Sequence, residues 1–341
     1  VSRSGLTPFI VPVFLPHQGC PHRCIFCDQH RITGHDEHPL RGAEIGRILE
    51  QALGSRLPAG AEVAFYGGTF TRLPIERMEE LLSAVQPFRE KGAVVRIRVS
   101  TRPDALDPVR LETLRRFGVT TVELGAQSME PEVLRLAGRG HGPEATRDAV
   151  AALRGMGFKV GIQLMPGLPG DTADAFQSTV QAVIELHPDM ARLYPAIVIE
   201  GTAMAEWYKA GRYRPLSVEE AATRCAEACR RLEESGIPVI RIGLLPSPAL
   251  RESGRILAGP WHPSFGSLVR AAVYRATLRN QLPQVPRGRT IQLMAPQKDI
   301  PLLRGHRNQG LAWFEATTGS RVAAVLPDES LPPGRIRVVE A

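Results

Sequence analysis

Three cysteines fall within eight residues, Cys20-Pro21-His22-Arg23-Cys24-Ile25-Phe26-Cys27. Thiolates this close must fold around one small object. They are soft ligands and favour iron–sulfur clusters, zinc or copper(I). Three ligands with no evident fourth leave one metal position open. On a cubane 4Fe–4S cluster, that open iron can bind a substrate or cofactor directly.

Other occupants leave different signatures. A structural zinc site wants four ligands, with Cys-x2-Cys pairs recurring along the chain. Only Cys225 and Cys229 remain, about 200 residues away. His17, His22 or His30 could complete a zinc site, so zinc stays open. A ferredoxin-type carrier uses four cysteines per cluster, and that pattern is absent. Unliganded core cysteines suit this loop poorly, because Pro21, His22, Arg23 and Asp28 make it polar.

The 341 residues are enough for one large α/β domain and a small appendage. Hydrophobic content of 43% and charged content of 23% are ordinary for a globular protein. No apolar run reaches transmembrane length. The first residues, Val-Ser-Arg-Ser-Gly-Leu-Thr-Pro, lack signal-peptide architecture and an initiator Met. Five cysteines, three of them clustered, suit a reducing cytoplasm and not a disulfide framework.

The net charge of +7 is uneven. Residues 1–250 carry 29 Lys/Arg against 29 Asp/Glu; residues 251–341 carry 13 against 6. This shift sets an expected boundary between a domain over 1–250 and a basic extension over 251–341. It also suggests an anionic partner, although a solvated basic surface accounts for it equally well.

Short β-rich runs alternate with amphipathic stretches. Strands are expected over 10–14, 62–66, 95–100, 120–125, 158–164, 189–194 and 238–242. Helices are expected over 43–53, 74–90, 107–117, 143–156, 172–186 and 217–235. Ser217-x-x-Glu220 reads as a capping box, and Pro74 and Pro108 suit first helical turns. The alternation predicts parallel βαβ units. Six or seven units fall short of a closed eight-fold barrel, so the fold class is α/β, a partial, open (β/α)6-type barrel. A small α+β unit follows.

Each unusual motif follows a strand. The cysteine loop, within 15–35, follows the first. Phe65-Tyr66-Gly67-Gly68-Thr69-Phe70 ends the second, and Ser100-Thr101-Arg102-Pro103-Asp104 the third. Gly125-Ala126-Gln127-Ser128-Met129, Met165-Pro166-Gly167-Leu168-Pro169-Gly170 and Tyr194-Pro195 end the next three. Active sites of α/β barrels lie at the carboxyl ends of the strands. Strand parity places Val95, Ile97, Val99, Val122, Leu124, Ile240 and Ile242 toward the helices. It turns Arg98, Glu123, Gln163, Arg192, Tyr194 and Arg241 into the lumen. Buried polar groups need partners, which a bound polar ligand would supply; the alternative is that they pair with one another. Tyr194 and Arg241 are the catalytic candidates. His141 could touch substrate. Cys225 and Cys229 share a helix face and read as buried structural cysteines.

The cysteine spacing, with Phe26 before the last cysteine, is similar to the signature of the radical SAM superfamily. That resemblance implies a 4Fe–4S cluster on Cys20, Cys24 and Cys27. S-adenosylmethionine would bind the fourth iron and be cleaved by one electron to methionine and a 5′-deoxyadenosyl radical. It also implies a reducing electron donor of flavodoxin or ferredoxin type. Tyr66, Gly67, Gly68 and Thr69 match the family's glycine motif, which meets the methionyl amino group; Thr69 stands where the family usually has Glu. Ser100, Arg102, Glu123, Gln127, Gln163 and Pro166 match the places where relatives contact carboxylate, ribose and adenine.

The chain resembles in particular the radical SAM half of the Elongator catalytic subunit and its bacterial relatives. The resemblance spans about residues 9–245. Ser100-Thr101-Arg102-Pro103-Asp104, Leu164-Met165-Pro166-Gly167-Leu168-Pro169-Gly170 and Leu193-Tyr194-Pro195-Ala196-Ile197-Val198-Ile199-Glu200-Gly201-Thr202 carry it. The subfamily together with the basic tail suggests an RNA substrate, with a small metabolite as the alternative. The Elongator subunit has a longer first cysteine gap and an acetyltransferase domain; the last 90 or so residues here lack an acetyl-CoA-type glycine motif. The resemblance therefore carries the cofactor and the radical step, not the substrate. A non-catalytic reading remains, a zinc-stabilised RNA-binding protein. In the extension, Arg304, His306 and Arg307 precede Trp313 and Phe314, a mixture that can bind phosphates and stack bases. A lid packed over the barrel, with Trp313 in its core, is the alternative.

Overall fold

The computed structural model describes residues 9–21, 23–34, 39–54, 60–244, 250 and 254–341. His22 therefore lies outside the described residues. So do residues 251–253, at the expected boundary.

Seven parallel strands form one open sheet. They are β1 (Ile10–Leu15), β2 (Ala61–Gly67), β3 (Val94–Thr101), β4 (Thr121–Gln127), β5 (Lys159–Leu164), β6 (Met190–Leu193) and, after a short β7 (Val198–Ile199), β8 (Val239–Ile242). The order β1-β2-β3-β4-β5-β6-β8 follows the chain, and each neighbouring pair is parallel. Helices return the chain between strands, which gives the expected partial barrel. β7 pairs antiparallel with β9 (Ile256–Ala258) outside this sheet.

The helices begin where side chains can accept the first free N–H groups. Asp107, Thr172 and Ser217 cap Pro108–Arg116, Ala173–Leu186 and Val218–Glu234. Ser217 and Glu220 form the expected capping box. The helix expected over 74–90 is two, Ile75–Ser83 and Gln86–Glu90. Pro87 explains the break: it has no N–H to donate four residues back, and its ring crowds that carbonyl.

One large core lies between the sheet and these helices. Ile97, Val99, Val122, Leu124, Val160, Ile162 and Leu193 supply it from the strands. Each large aliphatic buried here stabilises the fold by about 1.5–3 kcal/mol. The parity reading holds mid-strand and fails at two positions. Val95 is 47% exposed at the start of β3, and Ile240 is 44% exposed on edge strand β8. Cys225 and Cys229 are fully buried in this core with Ala221 and Leu232. Burial pushes both thiols up, Cys229 to about 12.

The helix Phe265–Leu278 packs on Val218–Glu234 and β8, and its Phe265 and Val269 join the large core. Its far end enters a second core with a small sheet, β11-β10-β12. The strands are β10 (Thr290–Ala295), β11 (Arg321–Pro327) and β12 (Arg337–Glu340). Phe314 is fully buried in that core and Trp313 packs against it. The base-stacking expectation is corrected for Phe314, which presents no free ring face.

Among the described residues, no helix is long and apolar enough to cross a membrane.

Candidate active site

The cysteine loop leaves the carboxyl end of β1 and is tied to the end of β2. Gly68 N–H donates to Leu15 O and Thr69 N–H to Gln18 O, both at 2.8 Å. A Cβ on Gly68 would stand 1.9 Å from the Gln18 carbonyl oxygen. Gly68 thus owes its lack of a side chain to the neighbouring loop as well as to any ligand. Thr69 Oγ1 lies 3.4 Å from Cys20 Sγ. Phe26, between the second and third cysteines, is buried against Val133, Leu168, Ala196 and Met204. Its ring anchors the loop while the cysteines stay at the cavity.

All three cysteines are unbonded to one another and line one cavity of about 130 Å³. Gly67, Gly68, Thr69, Ser100 and Arg102 line it from β2 and β3, and Glu123, Gln127 and Gln163 from β4 and β5. Gln163 Nε2 donates to Gln127 Oε1 at 3.1 Å. Gln127 holds φ 70°, a left-handed conformation costing about 1–2 kcal/mol for a non-glycine residue, at the end of β4.

Burial pushes the Cys20 and Cys27 thiols up, and the neighbouring thiols add to it. Bare thiolates would repel here; a cationic cluster removes that penalty. Among the described residues, no three His, Cys, Asp or Glu side chains gather closely enough to hold one metal ion. The three thiols line one shared space, which fits a multi-iron cluster. His17 is a poor fourth ligand through Nε2, which accepts the Gln29 N–H at 2.8 Å.

The lumen's charged side chains pair with one another. Arg98 meets Glu62 through two bonds, at 2.9 and 3.1 Å, and also meets Glu123. Arg192 reaches Glu123 at 2.9 Å and donates to Tyr66 Oη at 2.7 Å and Tyr194 Oη at 3.1 Å. The expectation that a ligand must satisfy these groups is therefore corrected: two carboxylates and two guanidinium groups neutralise each other in low dielectric.

Other candidates are already paired or lie outside the cavity lining. Arg102 was a candidate for an incoming carboxylate; it is bound through Nε and Nη2 to Asp104, both at 2.8 Å. Tyr66 and Tyr194 lie in the Arg192 network, outside the cavity lining. Pro166 is buried, and its carbonyl accepts the Ala196 N–H at 2.9 Å. Arg241 donates through Nε to Gly243 O at 3.2 Å, also away from the cavity. His141 lies beside a second, open depression with Arg135 and Gly140.

Arg139 was missed from sequence. It is 4% exposed and lines the cavity. Its Nη1 donates to Cys24 Sγ at 3.2 Å and its Nη2 to Gly125 O. Its Nε is buried and unpartnered among the described residues. Arg102 Nη2 in turn donates to the Arg139 carbonyl. The available signal was Gly138 and Gly140, both left-handed, at φ 65° and 71°, which aim the residue between them.

The radical SAM superfamily model matches residues 14–183, and a radical SAM C-terminal domain matches 188–275. The tRNA uridine(34) acetyltransferase of Methanocaldococcus infernus is 30% identical, over 62% of this chain and 47% of that protein. Elongator complex protein 3 of Schizosaccharomyces pombe is 29% identical, over 58% and 45%. The solved structure of Methanocaldococcus infernus Elp3 with an N-terminal deletion superposes with a TM-score of 0.62 at 25% identity, over 80% of this chain and 63% of that one. The chain spans about half the length of these curated relatives.

Proposed function

The chain belongs to the radical SAM superfamily and is an enzyme, and we propose that it cleaves S-adenosylmethionine at a 4Fe–4S cluster to start radical chemistry on RNA. One observation carries this reading: three free cysteines share a cavity at the strand ends with a glycine motif and a paired-glutamine wall. Cys20, Cys24 and Cys27 would hold the cluster. When bound, the cluster and S-adenosylmethionine supply a one-electron cleavage to methionine and a 5′-deoxyadenosyl radical.

The chain's own residues bind and orient. Gly67, Gly68 and Thr69 offer backbone groups to the methionyl end. The spare Arg139 Nε offers a charged donor to its carboxylate, and Arg102 positions Arg139 through its carbonyl. Ser100, Glu123, Gln127 and Gln163 face the ribose and adenine. Arg98 and Arg192 hold Glu123 in place through their ion pairs. Tyr194 and Arg241, deeper or further along the strand ends, are assigned to the substrate side. Residues 1–250 act as the catalytic barrel and 251–341 as a substrate-binding extension. The relatives' printed names point to transfer RNA as the substrate class; a cytoplasmic setting and a flavodoxin- or ferredoxin-like reductant are part of the same proposal.

The test is anaerobic reconstitution with iron and sulfide, then dithionite and S-adenosylmethionine. Formation of 5′-deoxyadenosine by the wild type, and its loss in Cys24→Ala, is expected. Stoichiometric zinc without iron or sulfide in anaerobically purified protein would overturn the reading.

A further inference from the structure

The basic extension carries its charge unevenly. Its described acids are already engaged: Asp299 by Gly334 N–H, Glu315 by Val322 N–H, Glu329 by Gln297 N–H, Asp328 by Arg337 and Glu340 by Arg289. Arg304 and Arg307 are exposed, and among the described residues no carboxylate pairs with either. Arg304 makes only a 3.4 Å contact to Asn308 Oδ1.

Beside them stands a histidine pair. The rings of His262 and His306 lie 5.1 Å apart, edge to face at 83°. His262 Nδ1 accepts the Ser264 N–H at 3.1 Å, so its ring proton sits on Nε2, a donor. Burial and the nearby His306 and Arg307 hold His262 below the ordinary imidazole range. Basic groups crowd here, and among the described residues no carboxylate relieves them.

The place matters as much as the charge. Three residues before His262, Gly259 packs on Ala196 and Ile197, the segment just beyond β6. Three residues after it, Phe265 packs on Gly243, just beyond β8. His262 is thus held at the carboxyl ends of β6 and β8, the same rim of the barrel that carries the cysteine cavity.

We propose that His262, Arg304, His306 and Arg307 form a phosphate-binding lip that grips the RNA backbone at the barrel mouth. This rests on the RNA reading above. Phe265 and Phe314 are buried in the two cores and Trp313 packs against the second, so the lip would grip mainly the backbone and leave the bases free to enter the barrel.

The full chain with its cluster reconstituted, and a fluorescein-labelled tRNA transcript as probe, test this by anisotropy across a salt series. Arg304→Ala/Arg307→Ala is expected to weaken binding about tenfold or more and to flatten the log–log salt slope by roughly one unit per cation removed. Arg304→Lys/Arg307→Lys should retain most of the binding, which a structural defect would not allow. Arg287→Ala/Arg321→Ala, away from the histidine pair, should bind as wild type. If the wild type binds and the alanine pair binds equally with an unchanged slope, the lip is wrong and the RNA reading stands. If the wild type does not bind tRNA while still making 5′-deoxyadenosine, both the RNA reading and the lip fall.

Discussion

Arg139 donates a hydrogen bond from Nη1 to Cys24 Sγ at 3.2 Å, across 115 residues of chain. It joins the cysteine loop to the loop after β4 and leaves Nε pointing at no partner among the described residues. Arg139→Ala should raise the S-adenosylmethionine concentration needed for half-maximal 5′-deoxyadenosine formation by about tenfold or more, the loss of one charge-assisted hydrogen bond. Loss of an N–H donor to sulfur should also move the cluster potential in the negative direction. Redox titration of the loaded enzyme checks the second effect; an unchanged potential would remove Arg139 from the cluster's surroundings.

Gly68→Ala should damage cluster retention more than folding. The new Cβ meets a backbone carbonyl, Gln18 O, at 1.9 Å, and backbone cannot rotate aside. The cysteine loop must shift, so iron and sulfide content should fall well below wild type while the circular dichroism spectrum is kept. Full iron loading in this variant would contradict the docking described.

Arg98→Leu should cost about 3–5 kcal/mol, because Glu62 and Glu123 are left buried without their shared cation. Denaturant unfolding measures it. The double variant Arg98→Leu/Glu62→Leu should recover part of the loss. Equal instability of the single and double variants would show that packing, not charge, sets the cost.

Asp171 gives a pH signature. Burial is the largest influence and raises its carboxyl to about 6, against opposing pulls from Gly167 N–H and Arg224. The folded state therefore holds the proton more tightly than the unfolded chain. This contribution is fully present below pH 4 and is lost as pH rises through 6. Between pH 5 and 7 it amounts to roughly 1 kcal/mol of stability lost. Asp171→Asn should flatten that part of the profile, measured by urea unfolding at the two pH values. An identical slope in the variant would exclude Asp171 as its source.

Much of the barrel could be read along the chain. Ile97, Val99, Val122 and Leu124 face the helices because alternation in a strand has only two outcomes, and burial selects one. Ser217 and Asp107 start helices through bonds spanning three residues, which are visible in sequence. Pro87 could have been read the same way, yet the amphipathic pattern across 74–90 hid it. Arg139 could not. Its partners, Cys24 and Gly125, come from other units, and nothing local distinguishes a buried arginine from a loop one.

The same division holds for the whole protein. Cysteine spacing, strand period and capping chemistry are short-range properties, so the chain alone specified the cysteine cluster, the parallel α/β architecture and the end of the barrel where those cysteines gather. Tertiary structure alone decided which charges are spent and which are free. Arg98 and Arg192 consume Glu62 and Glu123, Arg102 consumes Asp104, and Arg139, Arg304 and Arg307 are left with donors to offer. A Coulomb interaction depends on distance through space, and that distance exists only once the chain has folded.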